Sequence, residues 1–336
     1  MLEQQEKLWD YDAVEAGQTG PTTEVEITEE NISEYALLAQ NPDPRFQRPG
    51  VSREYDGAML AMPTMVITYA PLMREEIAEA NGFVAQERST TARRQTPFAK
   101  CEIRWWGPVR AGDTITGSRR VLEKYDRRGS KFVTFRVEAA NQHGEKVAEY
   151  DYTCIFGYAQ GSKSVPQTPG SAEPQPLTGN PGRQELALSS SALLSFDEMS
   201  EGTQLAQMSI SESQEIINRK SDFRLSGEPN PINIHNNEEF ARQNIFSGTV
   251  SSGPAAMSYL DQMLQRSFSL SAFYQGGQLL MRAIEPFRAG DTVTFQGEVT
   301  AKNAESAGRI VECRIKGINQ RGDLVNLSDA TLILSE

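Results

Sequence analysis

The chain of 336 residues carries 33 Lys and Arg against 45 Asp and Glu, a formal charge of -12. Such a balance excludes a broad electrostatic grip on nucleic acid and leaves any anionic ligand dependent on a local basic patch. The length suits two domains of ordinary size, since single domains cluster near ~100 to 150 residues.

The opening segment MLEQQEKLWDYD is polar and acidic with no apolar signal core, and no run approaches the ~18 apolar residues of a membrane span. Cys101, Cys154 and Cys313 form an odd, widely spaced set without a CxxC pair. The expectation is a reduced, cytoplasmic protein with no disulfide framework, no bound metal and no membrane contact.

Taken in chain order, the first half predicts a short helix from Glu29 to Ala39, a Pro-rich loop, and a longer apolar helix over Pro63 to Ala78. Met65, Tyr69, Leu72 and Met73 fall at helical spacing within that longer helix. Strands follow from Thr114 to Phe156, where apolar and polar residues alternate between Gly-containing turns. Residues 160–185, QGSKSVPQTPGSAEPQPLTGNPGRQE, are rich in Pro, Gly, Ser and Gln and read as a linker. The cores are then 1–159 and 186–336.

The second half repeats the order. It predicts a helix over Glu212 to Arg219, a second Pro-rich loop, and a helix over Pro254 to Gln265 with Met257, Leu260 and Met263 or Leu264 on one face. Alternating strands run from Thr292 to Leu334.

The correspondence extends to residues. PVRAGDTIT, Pro108 to Thr116, recurs 178 positions later as PFRAGDTVT, and NQHG, Asn141 to Gly144, recurs at the same offset as NQRG. YDAVEAG (Tyr11 to Gly17) resembles FDEMSEG (Phe196 to Gly202), and LAQNPDP (Leu38 to Pro44) resembles LSGEPNP (Leu225 to Pro231). Four matches in the same order point to duplication of an α+β unit in which antiparallel strands wrap a helix. With no βαβ alternation and no GxGxxG, a dinucleotide-binding fold is disfavoured.

Chemistry-bearing residues concentrate in SGEPNPINIHNNEEFARQ, Ser226 to Gln243. His235 is either a proton-transfer group or an N-terminal helix residue beside a cap at Asn236 or Asn237. Gly253 precedes Pro254, and free N–H groups at such a helix start favour developing negative charge, although an ordinary helix entrance has the same residues. His143 reads as a hairpin-turn residue, matched by Arg321.

These blocks resemble the MaoC-like hydratase/dehydratase family in its fused double hotdog form, over nearly the whole chain. The RAGDT blocks with their strands resemble its sheet segments, YDGAMLAMPTMVITYAPLM resembles the central helix of its degenerate N-terminal half, and SGEPNPINIHNNEEFARQ resembles its catalytic loop. The resemblance implies an α+β double hotdog with the active site between two units. It also implies reversible addition of water across the 2,3-bond of an enoyl thioester of coenzyme A or acyl carrier protein, usually giving the (R)-3-hydroxyacyl product, with no metal or redox cofactor.

Carried onto this sequence, the resemblance makes His235 the general acid/base, Glu228 its water-holding partner, and Gly253 the oxyanion donor. Asn230, Asn233 and Ser252 of the second half would surround the substrate, with turn and cap chemistry as the alternative for Asn233, and Met62 and Tyr69 of the first would line the acyl pocket, with core packing as the alternative for each. Three departures stand out: Glu228 replaces an Asp, Ile232 and Asn233 are inserted before the Ile234-His235 pair (read without the insertion, Asn233 would fill the His position), and Ser252 stands where a His-Gly pair is common. In the first half Asn41 replaces Glu228 and the loop has no His, so that half is expected to shape the acyl pocket. Phosphate-binding candidates are Arg93 with Arg94, Arg119 with Arg120, and Arg127 with Arg128, against a default of solvated surface charge. A homodimer of double hotdogs is a further expectation. Rival readings are a non-catalytic acyl-thioester-binding subunit and a hotdog thioesterase.

Overall fold

The computed structural model describes residues 6–161, 193–228, 232–305 and 308–335. Beyond residue 161 the predicted linker lies outside the described residues, as does Asn230.

In the first half, strand β1 (Leu8–Trp9) is followed by β2 (Thr23–Glu26), helix α1 (Glu29–Leu38), α2 (Val66–Tyr69), α3 (Arg74–Ala80) and β3 (Val84–Ala85). Four long strands then run as β4 (Phe98–Trp105), β5 (Thr114–Arg127), β6 (Ser130–Ala140) and β7 (Lys146–Gly157). The second half gives β8 (Met208–Ser211), α4 (Gln214–Asp222), α5 (Glu238–Arg242), α6 (Gly253–Gln265), β9 (Gln278–Ala283), β10 (Thr292–Glu305), β11 (Gly308–Asn319) and β12 (Leu324–Leu334).

Apart from β1 and β3, the strands form one ten-stranded sheet in the order β2-β5-β6-β7-β4-β9-β12-β11-β10-β8. Each half contributes five strands in the same order, and the halves join where β4 pairs antiparallel with β9, from Lys100 opposite Arg282 to Arg104 opposite Gln278. The chain is thus an α+β double hotdog.

The repeated motifs build the same corner in each half. In RAGDT, Asp113 Oδ2 accepts from Arg110 N at 2.7 Å and Asp291 Oδ2 from Arg288 N at 3.0 Å, while Gly112 and Gly290 take φ values of +94° and +84° that favour glycine. In NQxG, Asn141 and Asn319 cap their own hairpin turns through Oδ1. The two motifs also meet: Gln142 Oε1 accepts from Thr114 N at 3.1 Å, and Gln320 Oε1 from Thr292 N at 2.9 Å.

The central helices of the two halves differ. α6 is continuous, one residue longer at its start than expected, and buries Met257, Tyr259, Leu260, Met263 and Leu264 against the sheet. Its counterpart, expected as one helix over Pro63 to Ala78, is broken. Ala70, held extended-side by the following Pro71, leaves the helical region at φ -126° and ψ 71°, and Met73 turns left-handed at φ 47°. Tyr150 Oη donates to the freed Ala70 carbonyl at 2.7 Å, so the break is satisfied. α4 starts later than expected, because Ser213 is its N-cap and Glu212 turns inward to Lys220 and Tyr259. The halves are also pinned at α6, where buried Asp261 accepts from Thr64 N at 3.1 Å and Thr64 Oγ1 at 2.8 Å.

Candidate active site

His235 sits on a turn that Asn233 organises. Asn233 Oδ1 accepts from His235 N at 2.7 Å and Asn236 N at 3.2 Å, and its Nδ2 donates to Ser221 Oγ at 2.9 Å, at the end of α4. Asn233 is buried and lines a cavity, but its amide is engaged in shaping this turn. Asn237 then caps α5 through Phe240 N at 2.8 Å. Gln214 Nε2 holds the His235 carbonyl at 2.7 Å.

The His235 ring is half-buried, with Nδ1 2.8 Å from the carbonyl oxygen of Val250. A carbonyl only accepts, so Nδ1 carries the proton and Nε2 of the neutral ring keeps its lone pair. Burial lowers the imidazole pKa from its ordinary 6.5; the Val250 bond opposes this, and the charges of Arg224 and Arg74 add to it.

Three residues beyond Val250, α6 begins. Ser252 is extended and gives the helix no side-chain cap, and Pro254 in the first turn has no N–H. Gly253 permits a close approach here, since a Cβ would lie 2.1 Å from Cδ1 of Phe98 on β4. A bare helix start with its positive end is thereby packed against the first half of the molecule.

Two cavities meet at this point, and His235 and Ser252 line both. One, of about 290 Å³, is bounded by Met73, Arg74, Gln95, Lys220, Arg224 and Ser226. The other, of about 360 Å³, is mostly apolar, with Phe98, Ile155, Phe246, Gly253, Ala256 and Met281 in its wall and the exposed Arg127 and Arg128 in its lining.

The structure therefore brings together His235, Asn233, Ser252 and Gly253. Glu228 is not with them: it is exposed on its loop and lines neither cavity. Met62 and Tyr69 belong to the core, 1% and 3% exposed, and line neither cavity. The helix break gives that wall to Ile67, Thr68, Leu72 and Met73 instead. Asn41, the counterpart of Glu228, is buried with Nδ2 3.5 Å from Met62 Sδ.

Of the candidate cations, Arg119 is buried on Thr23 Oγ1 at 2.7 Å and Arg120 pairs with Glu138 at 2.6 Å. Arg93 lies over the Phe240 ring and Arg94 bonds Gln86. Of these six, Arg127 and Arg128 line one of the two cavities and the other four line neither. Sequence reasoning missed Val250, whose backbone carbonyl fixes the tautomer, and Arg74, Lys220 and Arg224. Among the described residues no cluster of three His, Cys, Asp or Glu is placed to hold a metal ion, and no helix is long and apolar enough to cross a membrane.

Residues 16–150 match the family model of the FAS1-like dehydratase domain region. No curated protein sequence matches the chain. Among solved structures, a MaoC-like dehydratase superposes with a TM-score of 0.68 at 15% identity, covering 95% of this chain and 99% of that one. A MaoC domain protein dehydratase from Chloroflexus aurantiacus gives 0.62 at 16% identity, covering 97% of both chains. A double hotdog protein from Mycobacterium tuberculosis gives 0.57 at 11% identity, covering 96% of this chain and 98% of its own.

Proposed function

From a chain that has the double hotdog fold of the MaoC-like dehydratases, with a dehydratase-region match over residues 16–150, we propose a hydratase/dehydratase acting on 2-enoyl or 3-hydroxyacyl thioesters. The observation that carries the reading is the His235 ring, its Nδ1 tied to Val250 and its Nε2 left as a base, at the junction of two cavities beside the uncapped start of α6.

In the hydration direction, the thioester carbonyl lies at the start of α6. His235 Nε2 takes a proton from water as the hydroxyl oxygen bonds to C3, and the C2–C3 π pair moves toward the carbonyl oxygen. The Gly253 end of the helix stabilises the enolate charge without reorganising. The imidazolium then returns its proton to C2, so that one water has been added and the ring is neutral again. Dehydration is the reverse. The carrier of the thioester is coenzyme A or an acyl carrier protein, and no metal or redox group takes a step.

Glu228 has no part in this scheme, because it lines neither cavity. That same position favours a second reading, a non-catalytic acyl-thioester-binding subunit. Incubation with crotonyl-CoA and longer enoyl-CoAs separates them: loss of the conjugated-thioester absorbance supports the hydratase, and binding with no turnover of any enoyl thioester supports the subunit. Release of free thiol to a trapping dye would identify a thioesterase.

A further inference from the structure

The smaller cavity has a chemistry that addition of water to a plain acyl chain does not use. Its lining includes Arg74, Arg88, Lys220 and Arg224 against two carboxylates, Glu75 and Glu87. This reverses the balance of a chain in which acidic residues outnumber basic ones, 45 to 33.

The two carboxylates are answered locally. Arg74 pairs with Glu87 at 3.0 Å and gives further N–H groups to the Thr96 carbonyl and to Cys154, while Glu75 lies 3.7 Å from Arg88. Lys220 and Arg224 face no carboxylate in the lining. Lys220 is buried, 6% exposed in its side chain, and its ammonium pairs with Glu212 at 2.8 Å and donates to the Tyr259 hydroxyl, two residues outside the cavity lining, which leaves it one further N–H. Arg224 has no ion-pair or hydrogen-bond partner among the described residues.

Two neutral groups in the same wall, like Arg224, are unanswered. Gln95 Nε2 and Ser226 Oγ are buried without a hydrogen-bond partner, although both residues line this cavity. Buried polar atoms in folded proteins are nearly always paired, so donors left over in one cavity wall mark where a ligand's acceptors belong.

We propose that this cavity is a subsite for an acyl chain bearing a second anionic group, a terminal carboxylate, held by Arg224 and Lys220 with Gln95 and Ser226 completing its hydrogen bonds. The placement rests on the hydratase reading, which sets the thioester at His235, where the two cavities meet. The apolar cavity, with Arg127 and Arg128 in its lining, then takes the carrier arm. At about 290 Å³ the subsite has room for a short chain, and a long alkyl tail would leave its buried polar groups unpaired.

The test compares succinyl-CoA with butyryl-CoA, saturated thioesters of equal chain length that differ in the terminal carboxylate and need no turnover. Calorimetry on the full-length protein should show succinyl-CoA binding at least about tenfold more tightly. Arg224→Gln, a change at an exposed side chain, should remove most of that preference by weakening succinyl-CoA far more than butyryl-CoA; Arg224→Glu should invert it. Equal binding of the two ligands by the wild-type protein overturns the subsite. So does an Arg224→Gln variant that weakens both ligands equally, since its guanidinium would then be holding the carrier phosphates. Hydration of fumaryl-CoA against crotonyl-CoA is read separately. A succinyl preference with no hydration of either enoyl thioester overturns the reaction and leaves the anion subsite standing.

Discussion

His235 Nδ1 and the carbonyl oxygen of Val250 are 2.8 Å apart, and this bond sets which ring nitrogen is free to act as a base. The acceptor is backbone, three residues ahead of α6, so the ring and the helix start are held by the same short segment. Asn233 supports the other side of the ring's own turn. A side-chain carboxylate is not needed to fix the tautomer.

The pH dependence follows from the lowered imidazole pKa. With the folded value below 6.5, the ring is neutral above that pH and the acid limb of kcat/KM lies below it. The stability term has a matching sign: below pH 6.5 the unfolded chain binds a proton that the folded chain does not, so this contribution to stability is complete above 6.5 and declines as pH falls through the folded value. A pH-rate profile checks the first statement. An acid limb above 6.5 would show that another group controls the base.

Asn233→Ala should cost roughly 1 to 3 kcal/mol of stability, because it leaves the N–H groups of His235 and Asn236 and the Ser221 hydroxyl without this partner in a buried setting. Activity should fall further than stability requires, through a misplaced ring. Urea titration and kcat measured well below the unfolding transition separate the two; a variant with wild-type kcat would remove Asn233 from the positioning role.

Gly253→Ala should be destabilised by about 1 to 3 kcal/mol, since the added methyl overlaps the Phe98 ring. The clash has a named partner, so Phe98→Leu in the same chain should recover part of the loss. Thermal unfolding of the single and double variants measures this coupling, and strictly additive losses would contradict it.

Glu228→Ala should turn over enoyl thioesters within about twofold of the wild-type rate, because the carboxylate is exposed and contributes to neither cavity wall. A drop of a hundredfold or more would return Glu228 to the water-holding role that the loop resemblance implies.

The scaffold was legible because its signals are local. RAGDT and NQxG recur since each is a self-bonded turn, and the pair is kept in register by Gln142 and Gln320 reaching from one turn to the other. His235, Asn233, Ser252 and Gly253 were legible as neighbours because one loop and one helix start carry them all. What periodicity could not show was the consequence of Pro71: the helix breaks, and Tyr69 is left in the core while Leu72 and Met73 face the cavity. The path of the Glu228 loop was equally hidden, since a spacing along the chain says nothing about which side chain turns outward. Arg74, Gln95, Lys220 and Arg224 come from separate segments of both halves, and only folding makes them one wall.

The most direct measurement is the rate at which crotonyl-CoA loses its conjugated absorbance with wild-type protein and with His235→Ala at matched folded concentration. Wild-type protein should consume the substrate, and the variant should be slower by about 100- to 10,000-fold with its thermal midpoint retained. Equal rates in the two proteins would contradict the assignment of His235 as the base.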